Sequence, residues 1–153
     1  SYEPEEKGVM IAYASVYGHT ENAANILAAK LSDRGVKVQM YDTSVTASSF
    51  ILSDAFKYSH LVFAATTYNA GMFSTMEHLL HEITEHNLQK RRIALIENGS
   101  WAPMSGKLMR ELLSTLKGVE FVGETLTVNS ALTEGQLGDL DALADELAKS
   151  VAE

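Results

Sequence analysis

Three stretches of this sequence, 9–15, 60–66 and 91–98, read as extended runs that stay apolar through their centres without alternating. A strand with one face in water alternates polar and apolar side chains, whereas a strand covered on both faces does not. These three therefore predict the interior of a sheet with helices packed on each side. Two other extended stretches differ. Residues 36–42 (VKVQMYD) alternate, with Val36, Val38 and Met40 on one side, and 119–128 (VEFVGETLTV) is interrupted by Glu124, Thr125 and Thr127. Partial exposure of this kind predicts the two edges.

Helical patterns separate the five. Residues 20–34 place Ala24, Leu27, Ala28 and Leu31 on one face, a helix is expected around 48–57, and 73–86 is helical through Met76, Leu79, Leu80 and Ile83. Leu108, Leu112 and Leu116 mark a fourth helix, closed by Gly118. The last uses Leu137, Leu140, Leu143, Leu147 and Val151, with Thr133 and Gln136 spaced as a capping box. Strands alternating with helices of this length form βαβ units and a parallel sheet. With strands two and five as edges the order 2-1-3-4-5 fits, whereas 3-2-1-4-5 would leave the apolar third strand at an edge. The expectation is an α/β fold of three layers, a doubly wound five-stranded parallel sheet with its switch point between strands one and three.

A chain of 153 residues is the length of one domain, which buries roughly 68–70% of its unfolded surface and needs neither disulfides nor metal to fold. Residues 8–153 are expected to form that domain, with 1–7 a linker remnant or tail. The first residue is Ser rather than Met, as in a trimmed chain or a domain cut from a longer one. Cysteine is absent, which removes disulfides, thiolate metal sites and Cys nucleophiles together and suits a reducing, cytoplasmic location. Twenty acidic against twelve basic residues give a net charge of −8, and Lys90-Arg91-Arg92 is the one basic cluster. Nucleic acid needs a basic footprint, so no such partner is expected, and the cluster reads as neutralising a helix C-terminus just before a strand. No apolar stretch reaches the ~20 residues of a membrane span, so no membrane partner is expected either.

Ligands of open α/β sheets bind beyond the carboxyl ends of the strands, at the switch point. Three loops meet there: 15–20, 66–72 and 98–106. The first, Ser15-Val16-Tyr17-Gly18-His19-Thr20, runs from a strand directly into a helix N-terminus, where unpaired N–H groups and the helix dipole attract an anion. Ser15, Tyr17 and Thr20 add hydroxyls, and Gly18 permits close backbone approach. The loop holds no Lys or Arg, so a phosphate would be held by hydrogen bonds, worth ~1.5–3 kcal/mol each to a charged group, rather than by a counter-ion. The plain alternative is a capped turn with Thr20 as the cap. The second loop, Thr66-Thr67-Tyr68-Asn69-Ala70-Gly71, and the third, Asn98-Gly99-Ser100-Trp101-Ala102-Pro103, each set one large aromatic among small polar residues. Taken singly, each aromatic reads as a half-buried loop anchor. Taken with an anion loop at the same crevice, they are the walls that a flat ring with a polar rim requires, and the three describe a flavin mononucleotide (FMN) site.

Other motifs fail on their spacing. One glycine in the first loop is no G-x-G-x-x-G, so Asp42 has no dinucleotide fingerprint to serve. Gly99 and Gly106 stand seven apart rather than five, and Leu108 occupies the magnesium-binding position of a Walker motif. His78, His81, Glu82 and His86 lack H-E-x-x-H spacing and are expected on a solvated helix face. Phospho-receiver chemistry needs acids at the ends of strands one and three, where Ser15 and Thr66 stand. His19 is an exposed side chain in this reading, or a charge that modulates phosphate binding near neutral pH.

Over essentially its whole length the sequence resembles the flavodoxin family, and most closely the flavodoxin-like domain that ends flavodiiron proteins (A-type flavoproteins). The phosphate loop S/T-x-T-G-x-T stands here as SVYGHT, close to the S-M-Y-G-x-T of that domain, followed by the acidic Glu21. T-x-N-x-G is matched by Thr67 to Gly71, and an aromatic in a Gly/Ser-rich turn by NGSWAPMSG. The resemblance implies the flavodoxin-like fold, with FMN phosphate on Ser15 to Thr20 and the isoalloxazine lined by Thr66 to Gly71 and Asn98 to Trp101. Asn69 falls where the family hydrogen-bonds the flavin N5. It implies an electron-transfer domain with no complete active site apart from the flavin, receiving electrons from rubredoxin or a flavin reductase and passing them to the diiron domain of a parent oxidoreductase. A lead-in such as YEPEEKGVMIAY then resembles the end of an interdomain linker. The alternatives are a free-standing flavodoxin and an NAD(P)H:quinone reductase of the flavodoxin-like class. Acidic surroundings predict a low potential for the fully reduced, anionic flavin.

Overall fold

The computed structural model describes residues 2–14, 19–66, 74–99, 105–129 and 132–153, with His19 described by its backbone alone. Among them the chain forms strands β1 (Glu6–Tyr13), β2 (Val38–Asp42), β3 (Tyr58–Thr66), β4 (Arg92–Asn98), β5 (Glu120–Phe121) and β6 (Leu126–Val128). Five helices are described: α1 (His19–Asp33), α2 (Ser48–Lys57), α3 (Ser74–Glu85), α4 (Ser105–Leu113) and α5 (Glu134–Ala152). All strand pairs are parallel, in the order β2-β1-β3-β4-β5, with β6 also paired to β4. The order expected from exposure of the edges is the order observed.

The period of two along each strand divides the core. Val9, Ile11, Tyr13, Val62, Ala64, Ala94 and Ile96 face one layer, built by Ala24, Leu27 and Leu31 of α1 and Leu140, Leu143 and Leu147 of α5. Met10, Ala12, Leu61, Phe63, Ile93 and Leu95 face the other, built by Ile51 of α2, Met76, Leu79, Leu80 and Ile83 of α3 and Met109 and Leu113 of α4. Burying each of these larger side chains contributes about 1.5–3 kcal/mol, which is why β1, β3 and β4 stay apolar through their centres. α5 starts where the sequence placed it. The Thr133 hydroxyl accepts from the Gln136 N–H and the Gln136 side chain accepts from the Thr133 N–H, completing the capping box.

Two elements depart from the expectation. The fifth strand is broken in two, because Gly123 takes a left-handed φ of 68° between β5 and β6 and turns Glu124 into solvent. Both pieces still pair with β4, so the edge is preserved while the strand is not. Helix α4 starts and ends earlier than its leucines suggest. Met109 and Leu113 are buried, Leu108 and Leu112 are only half-buried, and Leu116 lies beyond the helix in the turn that Gly118 closes with φ 72°.

At the amino ends of the strands the basic cluster is consumed internally. The Arg91 guanidinium is buried and donates to the Ala55 and Phe56 carbonyls, so the helix end it neutralises is that of α2, and it also donates to the Tyr2 carbonyl. Lys90 pairs with Glu3, while Arg92 pairs with Glu153 and Glu120. His60 is buried here as well, with one ring nitrogen 2.7 Å from the Ser59 hydroxyl and the other 2.7 Å from that of Ser150. Burial, aided by the Arg92 charge, pushes its pKa down to about 4 and keeps it neutral.

Candidate functional site

Adjacent parallel strands β1, β3 and β4 end side by side, so the segments that follow them rise from one edge of the sheet. The Ala14 N–H donates to the Ala64 carbonyl (2.9 Å), binding the exit of β1 to β3. The Thr43 N–H donates to the Tyr13 carbonyl, and the Thr43 and Thr75 hydroxyls meet at 2.9 Å, tying the exit of β2 to the start of α3. Thr66 and Asn98 are register partners at the tops of β3 and β4, and the Thr66 hydroxyl donates to the Asn98 carbonyl (3.2 Å). The Gly99 N–H donates to Val128 (3.3 Å), so the third loop starts pinned on both sides.

Of the residues expected at the site, Thr66, Asn98 and Gly99 are brought together in this way. Thr20 is buried in the first turn of α1, whose opening N–H groups have no intrahelical acceptor by construction. Ser15, Val16, Tyr17, Gly18, Thr67, Tyr68, Asn69, Ala70, Gly71, Ser100 and Trp101, with the His19 side chain, lie outside the described residues. The alternation along β4 sends Asn98 to the same face as Ile96, the face that α1 covers. Its Nδ2 is buried and, among the described residues, has no acceptor. A buried amide donor left unpaired costs about 1–3 kcal/mol, so this position calls for an acceptor on the α1 side. That is the fit an FMN phosphate and ribityl chain would meet.

The field at this end is negative. The Tyr13 hydroxyl donates to Glu21 (3.3 Å), and burial, together with the charges of Glu21 and Asp42, pushes the Tyr13 phenol up to about 12. Glu97, one residue before Asn98, is also buried. Burial raises its pKa, and a hydrogen bond from the Gly106 N–H partly offsets the rise. The sequence signal for Glu97 was present and was not used: a carboxylate inside IALIEN, on a strand covered on both faces, is a residue type almost never buried without a reason. On α3, His78 and His81 are exposed and His78 pairs with Glu82 at 2.7 Å, as a solvated face requires. No three His, Asp or Glu side chains converge with metal-binding geometry among the described residues, nor is any described helix long and apolar enough to cross a membrane.

The flavodoxin family model matches residues 11–152. This chain belongs to the flavodoxin family. Members of that family bind FMN, which is the cofactor here, and the chain is an FMN electron-transfer domain of the kind that works with protein redox partners. None of the curated proteins matches the sequence. Among solved structures, the rubredoxin oxygen:oxidoreductase of the anaerobe Desulfovibrio gigas superposes with a TM-score of 0.90 at 21% identity, covering 97% of this chain and 37% of that one. A flavodoxin of Streptococcus pneumonia TIGR4 gives 0.77 at 24% identity over 93% of this chain and 98% of its own. A diflavin flavoprotein from Nostoc sp. gives 0.79 at 16% identity, over 96% and 94%. At these identities the likeness carries the flavodoxin fold. The chain spans little more than a third of the length of the Desulfovibrio protein.

Proposed function

We propose that this flavodoxin-family chain is the FMN module of a flavodiiron protein, taking electrons from a redox donor such as rubredoxin or a flavin reductase and relaying them to a diiron site in the parent protein. The observation that carries this reading is the superposition on the rubredoxin oxygen:oxidoreductase at a TM-score of 0.90, where this fold is one part of a longer chain. The motifs SVYGHT and TYNAG support it from the sequence side. In this reading residues 8–153 are the module, which Glu6 and Lys7 join as the start of β1.

When bound, FMN supplies the electron-accepting chemistry, taking and releasing electrons one at a time. The protein's part is to bind and to tune. Ser15 to Thr20 hold the phosphate through hydroxyls and the opening N–H groups of α1. Asn98 donates its buried amide on the α1 side, while Thr67 to Gly71 and Gly99 to Trp101 wall the ring. Glu21 and Asp42 supply negative charge near the site, which disfavours adding further charge to the ligand and lowers the potential of its fully reduced form.

The test has two stages. Titration with FMN, FAD and riboflavin, followed by quenching of flavin fluorescence, should give tight FMN and weak riboflavin binding, both lost in a Thr20→Ala, Trp101→Ala double variant. Stopped-flow mixing of the FMN-loaded chain with reduced rubredoxin should then reduce the flavin far faster than NADH or NADPH does. Rapid NAD(P)H oxidation with quinone turnover would sink the flavodiiron reading in favour of a reductase.

A further inference from the structure

Beside the buried His60, the amino ends of β1, β3 and β4 and the last turn of α5 enclose a cavity of about 170 Å³. Lys7, Lys90 and Arg92 stand around it with the hydroxyls of Ser59 and Ser150, and Glu153 is the one carboxylate in its wall among the described residues. Three cations against one acid reverse the balance of the whole chain, which carries a net charge of −8. The acids that answer these cations stand in the open. Arg92 pairs with Glu153 and Glu120, Lys90 pairs with Glu3, and the three carboxylate side chains are all more than half exposed. Lys7 Nζ donates to the Glu153 carbonyl at 2.7 Å. Ion pairs as exposed as these contribute little and exchange readily.

Behind the cations lies a relay of hydroxyls and imidazole. His60 registers with Arg92 across β3 and β4, and each of its ring nitrogens is 2.7 Å from a hydroxyl. The Arg92 guanidinium donates to the Ser150 hydroxyl at 2.7 Å. A neutral imidazole carries one N–H, on either nitrogen. With the proton on Nδ1 the ring donates to Ser59, whose own proton goes to the Gly8 carbonyl at 3.3 Å, and Ser150 donates to Nε2. With the proton on Nε2 the ring donates to Ser150, Ser59 donates to Nδ1, and the Ser150 proton needs an acceptor in the cavity. The first arrangement suits the cavity without an anion, and the second suits it with one. Burial holds the ring neutral, so the change moves protons without changing the net charge.

We propose that this cavity binds a small tetrahedral dianion, a free phosphate or the phosphate end of a monoester. Arg92, Lys90 and Lys7 supply charge-assisted donors, and Ser150 adds its hydroxyl when His60 takes the Nε2–H form. The Glu153 carboxylate is the internal competitor. Because it already meets Arg92, only a ligand with more charge and more acceptor atoms than a carboxylate displaces it. The cavity lies at the opposite end of the strands from the proposed flavin site, and it stands whether or not the flavin reading does.

The experiment is an NMR titration of the full, isotopically labelled chain, loaded with FMN and freed of excess. Inorganic phosphate and glycerol phosphate are added near neutral pH, against sodium chloride at matched ionic strength. The His60 ring nitrogens should move from the Nδ1–H towards the Nε2–H pattern and saturate with a Kd of about 1 mM or below. The tighter of the two ligands tells free ion from ester. Arg92→Gln should weaken binding about tenfold and Lys90→Gln about threefold, whereas Glu153→Gln should tighten it about threefold by removing the competitor. Lys90 and Glu153 are exposed, so their variants carry the reading should Arg92→Gln fail to fold. A His60 spectrum that answers phosphate no differently from chloride overturns the proposal. So does saturable binding that leaves the imidazole unmoved, or that Lys90→Gln and Glu153→Gln leave unchanged. A chain that takes up no FMN while His60 responds as expected overturns the flavin reading and supports this one.

Discussion

The two ends of the sheet solve the problem of buried polarity in opposite ways. At the amino ends of the strands every described charge has its answer: Arg91 in a nest of carbonyls, Arg92 on Glu153 and Glu120, Lys90 on Glu3, and both His60 nitrogens on hydroxyls. At the carboxyl ends, about 20 Å of strand away by the usual rise per residue, Asn98 Nδ2 and Glu97 Oε2 are buried without partners among the described residues. The same parallel sheet runs through both. One end is closed by side chains the structure describes, and the other borders the segments that lie outside the described residues.

The largest test of this contrast is Arg91→Ala, which strips the Ala55 and Phe56 carbonyls of a buried donor and should cost about 2–4 kcal/mol in chemical denaturation. Flavin affinity should stay within twofold, and a larger change would mean the two ends are coupled. His60→Gln comes next. The folded pKa of about 4 lies below the ordinary 6.5, so the unfolded chain takes up the proton first as the pH falls. Stability from the neutral imidazole is full above 6.5 and is lost on the way down to 4. Allowing for screening at a group near the sheet's end, the wild type should lose about 1–2 kcal/mol between pH 7 and 4 that the Gln variant keeps. Equal pH profiles would show that His60 is not held neutral by the fold. At the other end, Asn98→Ala should leave the apo chain no less stable while weakening FMN about tenfold, close to the loss of one net hydrogen bond. A destabilised apo chain with unchanged affinity would reverse the assignment. Smallest is Arg34→Ala, which removes the exposed ion pairs between α1 and α5 on Asp141 and Asp145. Its effect on a thermal melt should be marginal and should disappear in high salt.

The sheet order was legible because exposure writes itself into strand patterns: β2 alternates, β1, β3 and β4 do not, and of the two common doubly wound orders only 2-1-3-4-5 puts these strands inside. The capping box of α5 was legible because two side chains three apart define it. The loops proposed to hold the phosphate and the ring stand on composition alone, since most of their residues fall outside the described ones. What could not be read was tertiary. Gly123 looks like any glycine until its left-handed turn cuts the fifth strand, and the leucines Leu108 and Leu112 mark only the flank of the buried stripe of α4, whose centre is Met109 and Leu113. The basic cluster was expected to neutralise a helix end, and Arg91 does so for α2, but the pattern did not tell that it alone of the three is drawn inside.

The cut between β5 and β6 has a consequence for how the molecule behaves in a crowd. A sheet edge offers a row of free N–H and C=O groups on which a strange strand can grow, and a long flat one is an invitation to aggregate. Here that border is two residues, a bend through Gly123 and Glu124, then three more. No incoming strand can stay in register across the bend. A domain that must keep one end open for exchange with partners has, along this flank, a margin too broken to recruit unwanted ones.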